Sequence, residues 1–339
     1  MKYRRILAGL VGQLLWLNLA VTLASASTVR VQTISLHKGW NAVFVEVEPV
    51  NPKPADCFQG TPVTVAAAFT GADKTVEFVQ NPSTNNLTRQ NGWDVWYPAN
   101  RADGFLTSLF QIAGNKPYLL YSESEFTLSI TGNAILNSVK WRPNSFSLTG
   151  FGVDSVSPPT FDQFFNGSSH HRPYRIYRLV NDVWVKVDNA QTAQMRSGEA
   201  CWIFCQGSSD YQGPLKAQLE SGAALQLRGG NPAGLVLQNN SRNPLSVQVQ
   251  NVTGGTQLPV AYVLRAVTAT NVVQVALDLP DHFTMQSFDA AEKRGFWLAL
   301  RPERMSAPAQ TGLLKITTDL GTQCWLPISG NSSASAPAN

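Results

Sequence analysis

The feature that most constrains this chain is a β-rich unit that occurs twice. The stretch running from Gly39 through Trp40 to Gly60 can be laid over the stretch from Ser145 through Phe146 to Asn166. Trp40 then faces Phe146, Val45 faces Phe151, Val47 faces Val153, Pro52 faces Pro158 and Phe58 faces Phe164. Two more blocks follow in the same order. Asp94-Val95-Trp96 lies over Asp182-Val183-Trp184, and Gly114 lies over Gly198 with Tyr118 over Trp202. The offset falls from 106 at the first block to 88 and then 84, so the first copy carries about 22 additional residues. The polar stretch Asn81 to Gly92 is the place for them, since loops accept insertions at small entropic cost. A fixed order of matched blocks is evidence about a scaffold, not about a reaction.

The local patterns within each copy are those of strands. Val29, Val31, Thr33 and Ser35 alternate with Arg30, Gln32 and Ile34, and Ala42, Phe44, Val45 and Val47 give a second strand after Gly39. A proline-rich loop and one helical turn, Ala55 to Gln59, come next. Strands are expected over Thr64 to Phe69, Thr75 to Val79 and the Trp96 block, with Tyr118 to Tyr121 and Phe126 to Ile130 as a hairpin. In the second copy Thr160 to Phe165 match the helical turn, and Tyr174 to Val180 with Val183 to Val187 form a hairpin around Asn181-Asp182. From about Leu219 the pattern changes to eight short strands separated by turn clusters such as Gly229-Gly230-Asn231-Pro232, which is the spacing of a β-sandwich. No segment carries a strong helical apolar stripe.

The Gly39-Trp40-Asn41 block, the proline loop, the Trp-centred strand and the Gly-x-x-Tyr/Trp hairpin together resemble the "GWN" β-modules of secreted bacterial proteins. The segment from Leu219 to Ser329, ending in the hairpin that begins at Gly312, is similar to the immunoglobulin-like domains that accompany them. The second copy departs from the pattern, carrying Ser145-Phe146-Ser147 in place of Gly-Trp-Asn. The resemblance implies a secreted, non-catalytic, surface-associated protein and transfers no functional residue. The expected fold class is all-β: two tandem homologous repeats over 27–136 and 137–218, then an immunoglobulin-like β-sandwich over 219–329.

The ends have their own chemistry. Lys2, Arg4 and Arg5, an apolar run from Ile6 to Leu23, and Ala24-Ser25-Ala26 have the layout of a secretory signal peptide (1–26) cleaved after Ala26. An uncleaved anchor is the alternative, because the run approaches the ~20 residues that span a bilayer. Without Lys2, Arg4 and Arg5 the balance is 23 basic against 22 acidic residues, which leaves no basic field for nucleic acid. The stretch 330–339 reads as a disordered polar tail. The expected location is therefore secreted, periplasmic or cell-surface, with a protein or glycan partner at the cell surface and no transmembrane segment after signal cleavage.

Reactive chemistry is hard to find. Four cysteines, Cys57, Cys201, Cys205 and Cys324, permit three full disulfide pairings in an oxidising compartment. Cys201 and Cys205 are four residues apart in an expected strand, ~13 Å at ~3.3 Å per residue, too far for a bridge to each other. His170-His171 is expected in an exposed loop, and no metal or other cofactor is indicated. Sequence signatures of nucleophilic hydrolases, zinc peptidases and phosphate-binding loops are missing, so the expected class is not an enzyme. Two carboxylates suffice for glycoside hydrolysis, and Glu46 with Glu48, or Asp94 with Asp182, are the candidates. Glu46 and Glu48 read better as a solvated row, and the two aspartates as turn residues. Trp93, Trp96 and Tyr97 beside the polar loop are the candidate ligand-binding residues, because exposed rings stack on sugars; a repeated aromatic core is the competing reading.

Overall fold

The computed structural model describes residues 28–71, 80–229, 231–254, 256–267 and 272–332. The signal-like segment 1–26, the strand expected over Thr75 to Val79 and the tail beyond 332 lie outside the described residues. The chain is all-β, as its patterning predicts. The first unit contains β1 (Val29–Leu36), β2 (Gly39–Val45), β3 (Glu48–Pro49), the helical turn α1 (Pro54–Cys57), β4 (Val63–Phe69), β5 (Trp93–Trp96), β6 (Lys116–Ser122) and β7 (Phe126–Asn133). These make two sheets, of order β1-β7-β3 and β2-β6-β4-β5. The expected Tyr118–Ile130 hairpin does not form: β6 and β7 follow each other in the chain but belong to different sheets. The second unit contains β8 (Ser145–Gly150), α2 (Phe161–Phe165), β9 (Ile176–Val180), β10 (Val183–Lys186) and β11 (Ala200–Cys205), with sheet order β8-β11-β9-β10. Counted along the chain, both four-stranded sheets place their first strand beside the fourth, then the second, then the third.

The two sheets do not follow one another like beads. They share an apolar layer to which β2, β4, β5 and β6 contribute Trp40, Phe44, Val65, Val95 and Leu119, and the second sheet Phe146, Leu148, Leu179, Trp184 and Trp202. Phe69 links them, with ring centroids 5.1 Å from Trp93 and 5.3 Å from Trp202. The opposite face of the first sheet packs against the β1-β7-β3 sheet through Val43, Tyr118, Leu128 and Ile130. The opposite face of the second is covered by α2 and the loops carrying Trp141 and Tyr211.

The ladder corrects two of the residue matches. Trp40 pairs with Tyr121 and Phe146 with Phe204, so with Trp40 over Phe146, Leu119 stands over Trp202 and Tyr118 does not. Continuing across, Ala67 pairs with Leu119 and Tyr177 with Trp202, while Phe69 pairs with Trp93 and Leu179 with Trp184. Trp93 therefore occupies the place of Trp184. Trp96 points into the other layer, against Phe58. A slip by an odd number of residues exchanges the faces of a strand; it is one residue for Tyr118 against Leu119 and three for Trp96 against Trp93.

The Gly39-Trp40-Asn41 block has a physical role in joining the units. The Asn41 amide closes the turn before β2, donating to the His37 and Gly39 carbonyls at 2.9 and 3.0 Å and accepting from the His37 N–H. Asn181 and Asp182 both adopt positive φ, 49° and 65°, as a tight hairpin between right-twisted strands requires. The Asp182 carboxylate reaches from that turn to accept the Trp40 N–H at 2.5 Å. Gly39 has φ +99°, and a Cβ there would lie 2.6 Å from that carboxylate. Glycine is thus required twice over, by backbone conformation and by space.

The third unit is an immunoglobulin-like sandwich. Its strands are β12 (Leu215–Leu219), β13 (Leu225–Arg228), β14 (Ala233–Asn239), β15 (Val247–Asn251), β16 (Val260–Val267), β17 (Val272–Asp278), β18 (His282–Thr284), β19 (Lys293–Leu300), β20 (Ala309–Thr318) and β21 (Gln323–Asn331). Two five-stranded sheets, β12-β14-β19-β16-β17 and β13-β21-β20-β15-β18, face each other across Leu235, Leu237, Val249, Phe288, Leu298 and Leu326. The leading strand splits between sheets, β12 antiparallel to β14 and β13 parallel to β21. All eight expected strands form. The short strands β12 and β18 had no legible pattern, and β12 crosses the expected 218/219 boundary. Gly330 and Asn331 belong to β21 rather than to a tail. The sandwich sits against the second unit through backbone contacts: Gln323 N–H donates to Gly152 at 2.9 Å and Asp154 N–H to Gly321 at 2.8 Å.

Gly39→Ala is expected to destabilise the protein by about 2–4 kcal/mol in urea unfolding, combining a positive-φ penalty with a clash against Asp182. An equal cost at Gly60, which has φ +71° but no neighbour near its Cβ, would show that the Asp182 contact contributes nothing.

Candidate functional site

The aromatic candidates are mostly core. Trp96 and Tyr97 are 8% and 7% exposed, and the Arg101 guanidinium lies 5.2 Å over the Tyr97 ring. Neither offers a face to a sugar. Trp93 is half-buried edge-on against Phe69 in the layer between the sheets. Of the three expected ring residues, Trp96 and Tyr97 thus lie in the core and Trp93 keeps part of its surface.

A large concavity lies elsewhere, a cleft of about 1410 Å³ where all three units meet. One wall is β1 and the adjoining edge of β2. The segments Asp154–Pro158 and Gln194–Glu199 of the second unit form another. Lys315, Gln323 and Trp325 of the sandwich close it. β2 is the outermost strand of its sheet, so its backbone would present unpaired groups here. They are taken up instead. The buried Gln32 amide donates to the Phe44 carbonyl at 2.8 Å and accepts the Glu46 N–H at 2.7 Å, and the Phe44 N–H donates to Gly198 at 2.8 Å.

Glu46 is not part of a solvated row. It is 2% exposed and paired with Arg30 at 2.6 Å, and Arg30 in turn lies 4.5 Å over the Trp325 ring. Burial pushes the Glu46 carboxyl above the ordinary carboxylate range, against the pull of Arg30 and Lys315. Glu48 points elsewhere and accepts the Gly114 N–H at 2.8 Å. A second acid in the cleft, Glu199, is held by two contacts from Arg178, 3.1 and 2.5 Å. Asp154 accepts the N–H groups of Ser157 and Val156, which hold its carboxyl below the usual range. Each of these acids is already engaged. Asp94 is bound to Arg89 at 3.0 Å, and Asp182 is the strut described above.

The thiols and histidines give no activated group. All four cysteines are free; burial pushes Cys57 up to about 11 and Cys324 up to about 12, and raises Cys201 and Cys205 as well. A nucleophilic thiol needs the opposite shift. The exposed-loop expectation holds for His170 and fails for His171. His171 is buried against Trp141, with centroids 4.2 Å apart, and its Nδ1 lies 2.7 Å from Ser168 Oγ. Burial lowers its pKa to about 4. No group of three or more His, Cys, Asp or Glu stands close enough to hold a metal among the described residues. No helix among them is long and apolar enough to cross a membrane.

Sequence reasoning missed the cleft. The available signal was the phase of β1, in which Arg30 and Gln32 fall in register with Ile34 and Leu36 and so point inward.

No protein-family model matches the chain, and no curated protein does. Solved structures that it resembles include the periplasmic chaperone SfaE, at 7% identity and TM-score 0.25 over 37% of this chain and 59% of that one. The YadV chaperone matches at 16% identity and TM-score 0.25, over 37% of this chain and 55% of that one. A PapD-like domain of human CEP192 matches at 10% identity and TM-score 0.22, over 36% and 87%. The chain thus spans little more than half the length of the two chaperones. Likeness at this level leaves the immunoglobulin-like assignment resting on the strand order of the sandwich itself.

His171 makes stability depend on pH in a stated direction. Its folded pKa, about 4, lies below the unfolded value of 6.5, so the unfolded chain binds more protons between the two. Stability should be full above pH 6.5 and fall as pH drops towards 4. The share due to His171 is about 3 kcal/mol, at ~1.4 kcal/mol per pKa unit. Urea unfolding of His171→Phe should show a loss over that window smaller by roughly this amount. Parallel curves for the two proteins would remove His171 as the cause.

Proposed function

We propose that this is an exported, non-catalytic protein of structural or adhesive type, which engages a protein or glycan partner at the cell surface through rigid β-domains. The observation that carries the reading is the state of the acids in the cleft. Glu46 and Glu199 are each committed to an arginine and Asp154 to backbone N–H groups, and the fourth, Glu125, is exposed with no ion pair among the described residues. The raised thiols are poor nucleophiles, and Glu46, although burial raises its carboxyl, is 2% exposed and bound to Arg30. The basic, apolar and small-residue layout of residues 1–26 supports export. A glycan partner is the weaker of the two, because the rings proposed to stack on it are largely buried.

Expression of the full chain with a C-terminal tag tests this reading. The expected result is a mature N-terminus at Ser27 by mass spectrometry, protease accessibility from outside the inner membrane, and surface cross-links to partner molecules. An uncleaved, cytoplasmic chain would contradict it. A glycan array should be flat; binding lost in Trp93→Ala would establish the carbohydrate reading instead. Polysaccharide turnover abolished by Glu46→Gln or Glu199→Gln would establish a hydrolase.

A further inference from the structure

β1 is the outermost strand of the β1-β7-β3 sheet, and the register shows which of its residues present backbone to the open side. The Ala134 N–H donates to Thr28 O at 2.8 Å, which makes 28 and 134 a hydrogen-bonded pair of the β1–β7 ladder. Antiparallel pairs alternate, so Arg30, Gln32, Ile34 and Leu36 direct their N–H and C=O groups to β7. Val31, Thr33 and Ser35 direct theirs away from it. Residues from both faces of β1 line the cleft, so it is the strand's edge that forms the wall. None of the outward groups of these three residues has a hydrogen-bond partner among the described residues. The contrast with β2 is informative: its edge is taken up by Gln32 and Gly198, and that of β1 is left open.

We propose that the β1 edge binds an extended peptide of another protein, which adds as a strand inside the cleft and carries an acidic side chain. Three N–H and three C=O groups at strand spacing match a peptide backbone, and β-strand addition draws its affinity from such a ladder. The edge is recessed between the Asp154–Pro158 and Gln194–Glu199 segments, so the occupant is a segment without a sheet of its own, not a second folded copy. Charge selects further. Of the four acids that line the cleft, Glu46 and Glu199 are neutralised by Arg30 and Arg178, Asp154 is held by backbone N–H groups, and Glu125 is exposed at the β7 end. Of the cations, Lys315 has no carboxylate at salt-bridge distance among the described residues, and Arg196 makes one loose contact of 3.7 Å. Val31, 55% exposed, and Val156, 87% exposed, stand ready for apolar neighbours of that acid. This inference deepens the partner-binding reading above and rests on it.

Thr33→Pro isolates the edge. It removes an outward N–H and blocks strand approach, and it spares the β7 ladder, in which the Thr33 N–H takes no part. A phage-displayed random heptapeptide library is panned on the whole protein and counter-selected on Thr33→Pro, whose fold is checked by circular dichroism. The expected result is enrichment of alternating β-branched peptides containing Asp or Glu. A synthetic lead should bind the parent at least tenfold more tightly than the variant. N-methylation of the lead's amides in one phase should cost as much, and in the other phase nothing. That phase test holds even if Thr33→Pro fails to fold. Failure to enrich any peptide, or insensitivity to both phases, overturns the proposal, as does Thr33-dependent self-association in sedimentation. Export and surface cross-linking would survive such a failure.

Discussion

Everything in the first two units depends on one apolar layer buried between two sheets. A single four-stranded sheet with large side chains on both faces needs a cover for each. The first sheet finds one cover in β1-β7-β3, the second finds one in α2 and its loops, and each has the other as its remaining cover. Asp182 and Gly39 fix the offset of the two sheets, since the carboxylate binds the first amide after a glycine that leaves room for it. The two sheets, alike in strand order, thus form a packed pair rather than a linear array.

The cleft follows from the same arrangement. Packing face to face leaves the outermost strands β1 and β2 side by side at one border, where backbone groups have no ladder to join. Gln32 meets part of that demand with a buried amide, and the paired charges Arg30–Glu46 and Arg178–Glu199 line the polar space that remains. Burying charge is costly without a partner, which is why the buried Glu46 and Glu199 each sit on a guanidinium. The sandwich completes the wall through Trp325, whose ring lies under Arg30.

Much of this architecture could be read from residue order. Alternation and turn chemistry located nearly every strand of the sandwich, the helical turns at Pro54 and Phe161, and the Asn181-Asp182 hairpin. The reading failed where two patterns compete. Tyr118 to Ile130 alternates like a hairpin, yet β6 and β7 serve different layers, and short-range pattern carries no information on which layer a strand joins. Matching Trp96 to Trp184 rewarded ring size over facing direction, although the ladder aligns Trp93. Glu46 looked solvated because its partner, Arg30, is 16 residues away on another strand, and a pair brought together by tertiary packing leaves no local signature. His171 was hidden for the same reason, buried by Trp141, Phe165 and Tyr211 from three separate segments.

Native-state hydrogen exchange tests the shared layer most directly. The account predicts that the most protected amides of β2 and β6 and those of β8 and β11 open with the same free energy and the same dependence on urea, because neither sheet keeps its core without the other. If β8 and β11 opened in a separate, lower-energy step while β2 and β6 stayed protected, the two units would be independent domains and the account would be wrong.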